Sequence, residues 1–138
     1  MENNNPHRLL KGIIAFGGVF EAIMGVVVLL WGDLIIALST GMQTVPVYPL
    51  YWRTMGLLAI ALGTLQIVAS LDPQRYIAVP VTAICVRFFL PILTALEVIN
   101  TPSMGPLLIV STIFDFILAV ATFILLYRVG MLKMSTGG

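Results

Sequence analysis

The stretch Ile77–Val98, IAVPVTAICVRFFLPILTALEV, is long enough to cross a bilayer and carries an arginine, Arg87, at its centre. A cation at the middle of a membrane costs between a few and about ten or more kcal/mol, so it belongs in a bundle interior beside groups that pair with it. Its partners should come from the other apolar runs of the chain. Two of these carry a carboxylate at mid-run: Glu21 in the run 9–31 and Asp115 in the run 107–127. The remaining run, 51–71, places Arg53, Gly56, Gly63, Gln66 and Ser70 at helical spacing along one side, and that side should face the bundle. The fold class follows: an all-α integral membrane four-helix bundle in a single domain, residues 1–138, with spans near 9–31, 51–71, 77–98 and 107–127.

Composition agrees with this reading. The chain is 59% hydrophobic and 9% charged, against roughly 45–50% and 25% for a soluble protein. Its mean hydropathy is +1.06. Net charge is +1, with no basic block to suggest nucleic acid and no acidic tail to suggest a basic partner. The polar stretch 1–7, MENNNPH, reads as a short tail. Arg8 and Lys11 ahead of an apolar run also fit a signal peptide, but the run exceeds a typical h-region and Glu21 interrupts it, so it reads as a mature helix.

Gly18, Ala22 and Gly25 form a small-residue stripe on the first span, suited to close helix packing. After it, LIIAL (34–38) either extends the helix or lies in the interface. STGMQTVPVYPLYW (39–52), with Pro46 and Pro49 among aromatics, reads as an interfacial segment. LDPQRY (71–76) is a short turn opened by Asp72-Pro73, so the second and third spans should be antiparallel neighbours. Pro91 lies four residues after Arg87 and removes the intrahelical partner of the Arg87 carbonyl, which predicts a kink. NTPSMGP (100–106) is a turn, Ser111, Thr112, Asp115, Ala119 and Thr122 share a face of the last span, and the tail from Arg128 is expected to fray.

Arg8, Lys11, Arg75, Arg128 and Lys133 fall at one end of the spans, against Arg53 at the other. By the positive-inside rule both termini are cytoplasmic. Trp31 and Trp52 then fall at the outer interface, and Tyr76 and Tyr127 at the inner one.

Counted from the middle of each span at about 1.5 Å per residue, Glu21, Arg87 and Asp115 lie within about 3 Å of the midplane. They form a candidate intramembrane polar cluster, since the five donors of a guanidinium can serve two carboxylates. Its formal charge of minus one would vanish with a proton on one carboxylate. Asp33, Arg53 and Glu97 make a candidate outer polar layer, where snorkelling lowers the cost of charge. The cluster reads as a structural bolt, as a pocket for a quinone or lipid head group, as part of a proton path, or as a contact with a partner subunit. Gln66, Ser111, Thr112 and Thr122 are modest relay candidates for a path. Phe114-Asp115 echoes Phe20-Glu21 without amounting to a repeat.

Catalytic chemistry finds little to work with. His7 is the single histidine and lies in the tail, and Cys85, the single cysteine, has no mate and reads as an inert buried thiol. No catalytic residue, metal ligand set or cofactor is expected; a bound lipid or quinone is the ligand class the polar centre would admit.

FGGVFEAIMG (16–25), then WRTMGLLAIALGTLQIVASLDPQRY (52–76), then an arginine within the third span together resemble the small four-helix bacterial membrane proteins grouped as DoxX-like. The resemblance implies a membrane subunit of an oxidoreductase assembly, such as thiosulfate:quinone oxidoreductase, and points to Arg53 and Arg87 as polar positions of interest. With no cysteine pair in the chain, the expectation is a non-catalytic accessory or scaffolding subunit of a larger membrane complex. The alternatives are a quinone- or lipid-binding subunit of a membrane oxidoreductase and a small proton-coupled carrier. Expected partners are membrane lipids and larger membrane-protein subunits.

Overall fold

A computed structural model describes residues 5–40, 49–100 and 106–132, and their side chains except at 33, 36–40, 49–52, 97–100 and 106–108. It contains α1 (Asn5–Thr40), α2 (Pro49–Leu71), α3 (Ala78–Asn100) and α4 (Pro106–Arg128). Each is long and apolar enough to cross a membrane. The 23-residue helices α2, α3 and α4 are about 35 Å long at about 1.5 Å per residue, enough for a hydrocarbon core of about 30 Å. No strand occurs among the described residues.

α1 starts earlier and ends later than the sequence suggests. It begins at Asn5 with Pro6 in its first turn, a position where the missing N–H and fixed φ of proline do no harm. It continues past the expected end through Leu34–Leu38, but its helical angles break at Trp31 (φ −131°, ψ 24°). The break precedes Gly32, and the exposed Trp31 side chain is of the kind that settles at a membrane interface. Both ends of the expected interfacial segment are helical, Ser39 and Thr40 in α1 and residues 49–52 in α2; residues 41–48 lie outside the described residues. α3 runs through Pro91 as one helix, so the departure from helical angles falls in α1 and not at Pro91.

The helices surround one another in the order α1, α2, α3, α4. α1 packs most extensively on α2, then come α3 on α4 and α1 on α4, with α2 on α3 the thinnest of these interfaces. The short 72–77 turn therefore joins neighbours, as expected, but ones that touch sparingly. The turn is built by Asp72: its carbonyl accepts from Tyr76 N–H at 3.2 Å and its Oδ1 accepts from Arg75 N–H at 3.2 Å, the local side-chain bonding for which aspartate is favoured in turns.

α1 and α2 meet backbone to backbone. A Cβ placed on Gly18 would lie 2.7 Å from the carbonyl oxygen of Gly63, and one on Gly25 2.7 Å from that of Gly56; the reciprocal additions clash as closely. Only glycine permits this approach. The pairs 18/63 and 25/56 fix an antiparallel register, and Lys11 Nζ donates to the Leu71 carbonyl at 2.9 Å at the end of the same seam.

The apolar core lies toward the end that holds His7, the 72–77 turn and Met131. Leu10, Ile14, Ile84, Leu125 and Leu126 are buried together there. The chain beyond α4 does not fray at once. Met131 N–H donates to the Leu126 carbonyl at 3.1 Å and Gly130 N–H to that of Tyr127 at 3.0 Å, with Gly130 at φ 79°. This is a Schellman turn, which satisfies the last carbonyls of a helix and folds Met131 and Leu132 back onto the core. Toward the opposite end, the glycine seam joins α1 to α2 and a Thr94–Thr112 hydroxyl contact of 3.0 Å joins α3 to α4.

Candidate functional site: a charge layer that joins all four helices

Arg87 enters the bundle from α3 because the groups that make its burial tolerable lie on the other three helices. Its Nη2 donates to Glu21 Oε2 of α1 at 2.9 Å. The same nitrogen lies 3.5 Å from the Gly17 carbonyl, one turn earlier on α1. Its Nε faces Asp115 Oδ1 of α4 at 3.6 Å, an ion pair too long to count as a hydrogen bond. From α2, Gln66 Nε2 donates to the same Glu21 oxygen that receives Arg87. One level of the bundle thus ties together a side chain from every helix.

Burial within the layer is uneven. Gln66 is 2% exposed and the Arg87 side chain 6%, whereas those of Glu21 and Asp115 keep 20% and 23%. The cation is enclosed and the carboxylates reach the margin. A buried guanidinium left without acceptors would be far more costly than one with charged partners, and Glu21 is its tighter partner by distance.

Gly17 makes room for the cation. A Cβ there would stand 3.3 Å from both Nη1 and Nη2 of Arg87 and 3.5 Å from Gln66 Oε1. The two adjacent glycines of α1 therefore serve different neighbours, since successive helical residues point about 100° apart: Gly18 admits the backbone of α2 and Gly17 admits the head of Arg87.

The echo between Phe20-Glu21 and Phe114-Asp115 has a spatial counterpart. The rings of Phe20 and Phe114 lie 4.6 Å apart, centroid to centroid, and Phe16 meets Phe114 edge-on at 6.3 Å. Phe20 and Phe114 each directly precede a carboxylate, so α1 and α4 are clasped by aromatics at the level where their acids converge on Arg87. Such ring pairs contribute about 0.5–1.5 kcal/mol beyond area burial.

The structure brings Glu21, Arg87 and Asp115 together and adds Gly17 and Gln66. Of the expected outer layer, Arg53 is exposed near the start of α2, and the side chains of Asp33 and Glu97 lie outside the described residues. Thr122 hydrogen-bonds the Leu118 carbonyl of its own helix at 2.7 Å, and Thr112 meets Thr94. Cys85 is exposed and not buried. Two positions before Arg87 on a helix lies nearly the opposite side, so inward Arg87 turns Cys85 outward. Among the described residues no group of three or more His, Cys, Asp or Glu is placed to hold a metal ion. Comparison with protein-family models, curated proteins and solved structures finds no match for this chain.

Proposed function

We propose that this chain is a non-catalytic accessory or scaffolding subunit of a larger membrane complex, in a bacterial inner membrane with both termini cytoplasmic. The observation that carries the reading is the pairing of Arg87: its Nη2 and Nε face acceptors of its own chain on α1 and α4, which suits a bolt that sets helix positions. Around that bolt the exposed surface is apolar along all four helices, with Phe16, Leu58, Phe89 and Ile117 among its large side chains. Smooth apolar faces on a rigid small bundle suit lateral packing against other membrane helices. The basic residues gathered at one end support the orientation. The resemblance to DoxX-like proteins is part of the proposal and suggests a redox or energy-transducing assembly.

The partial exposure of Glu21 and Asp115 favours a second reading, in which a quinone or lipid head group, or a carried proton, reaches the margin of the charge layer. Gentle extraction from the native membrane with lipids retained, followed by native mass spectrometry, separates the two. A defined complex with larger subunits is the result the accessory reading expects. A lone monomer or homodimer would contradict it, and a retained quinone would favour the second reading.

A further inference from the structure

The end of the bundle that holds the apolar core also holds two adjoining cavities that the charge layer does not use. One, of about 180 Å³, is lined by His7, Leu10, Lys11, Asp72, Gln74 and Met131 among others. The second, of about 270 Å³, shares Gln74 and Met131 with it and extends to Ile77 and Gly130. Three separate parts of the chain build their walls: the first turns of α1, the α2–α3 turn, and the Schellman turn that follows α4.

Charge at this end is unbalanced. Arg8, Lys11, Arg75 and Arg128 stand against Asp72 among the described residues. The Asp72 carboxylate is engaged in its own turn through the Arg75 N–H, and the Arg75 guanidinium lies over the Tyr76 ring, 5.4 Å from its centroid. Lys11 is held by the Leu71 carbonyl at 2.9 Å, which uses one of the three donors of an ammonium. His7, four residues earlier and so on the same face of α1, lines the same cavity. Beside this polar wall the side chain of Leu71, whose carbonyl holds Lys11, is exposed, which offers an apolar track next to a cationic recess.

We propose that these cavities bind the phosphate-bearing head group of an anionic phospholipid, with Lys11 and His7 on the phosphate and an acyl chain along the exposed Leu71. Basic recesses between membrane helices at the cytoplasmic side take such head groups, and the apolar track selects a lipid over free phosphate. The inference rests on the proposed orientation but not on the accessory reading, because the cavities are formed by one chain.

The test uses the full-length chain in detergent, incubated with equal amounts of phosphatidylglycerol and phosphatidylcholine of identical tails, with retained lipid counted by native mass spectrometry. Phosphatidylglycerol should be retained in preference. Lys11→Gln should reduce that retention about five-fold, the effect of one cation near a membrane surface. Arg8→Gln, a cation of the same end that does not line the cavities, should reduce it less. Met131→Trp, which intrudes on both cavities and leaves every charge in place, should displace the lipid, and it decides the matter if Lys11→Gln folds poorly. Equal losses from Arg8→Gln and Lys11→Gln, with Met131→Trp silent, would mean diffuse surface attraction and overturn the site. Displacement of the lipid by an equal concentration of inorganic phosphate would overturn the lipid and leave phosphate itself as the ligand.

Discussion

Arg87 is tolerated because Gly17 has no side chain. Its guanidinium packs against Gly17 so closely that a Cβ there would stand 3.3 Å from both terminal nitrogens, and from there one Nη reaches Glu21 while Nε faces Asp115. Gly17→Ala should therefore push the guanidinium by a few tenths of an ångström and cost about 1 kcal/mol, the lower range for overpacking. Detergent unfolding followed by circular dichroism measures it. The same substitution made together with Arg87→Leu, Glu21→Gln and Asp115→Asn should cost nothing, because residues in contact are the ones whose effects fail to add. The need for Arg87 to find carboxylates was legible in the sequence, since charge at mid-span is scarce and only Glu21 and Asp115 matched it in depth. Gly17 was not legible. It contributes by absence, and beside Gly18 nothing in the chain says that one glycine faces a helix and the other a cation. Gln66 was visible as a polar residue on the bundle face of its span, but its bond to Glu21 depends on the rotation of α2 about its axis, which helical spacing alone does not set.

At the level of elements, the seam between α1 and α2 sets that rotation. The glycines at 18 and 25 oppose those at 63 and 56, seven residues apart on each helix, so the contact recurs every two turns on one face. A methyl group added at Gly63 would lie 2.5 Å from the Gly18 carbonyl oxygen and the Ala22 nitrogen, both backbone atoms that cannot move aside. Gly63→Ala should cost about 1–3 kcal/mol by overpacking. Gly12→Ala should go the other way by up to about 1 kcal/mol through helix propensity, because nothing lies within 4 Å of a Cβ at that position. The opposite signs of two identical substitutions, read as unfolding midpoints, test the seam against a general preference for alanine. The small-residue stripe on the first span was legible, as were the glycines of the second. Their one-to-one register was not, because stripes of equal spacing can also pair one turn away. The Schellman turn after Arg128 escaped notice for a related reason: Gly130 fits a helix stop, but whether the chain then leaves or folds back is decided by the core that Met131 and Leu132 meet.

Taken as a whole, the molecule is a bundle with an apolar core toward the end that holds most of its cations and a charge layer that crosses it. Hydropathy made the four spans legible, and the Asp72-Pro73 turn made the order of the second and third helices legible. The thin contact between them was not, since a short connection constrains neighbours only where it joins them. In the proposed orientation, residues 74 and 128 lie on the cytoplasmic side of the membrane and residue 53 on the other. In a Cys85→Ala background, single cysteines at Gln74 and Arg128 should resist an impermeant maleimide in intact cells and react in inverted vesicles, and one at Arg53 should do the reverse. Labelling of all three from the same side would refute the topology.

The central claim is that one charge layer joins the four helices, and removing its cation with and without its acids tests that most directly. Arg87→Leu leaves Glu21 and Asp115 facing each other without a counter-charge and should lower stability by about 3–5 kcal/mol, the cost of breaking a buried pair from one side. The combined change with Glu21→Gln and Asp115→Asn removes the unmatched charge and should regain most of that loss, measured as the shift of the detergent unfolding midpoint. An Arg87→Leu protein as stable as the unaltered chain, or a triple variant no more stable than the single one, would contradict the account.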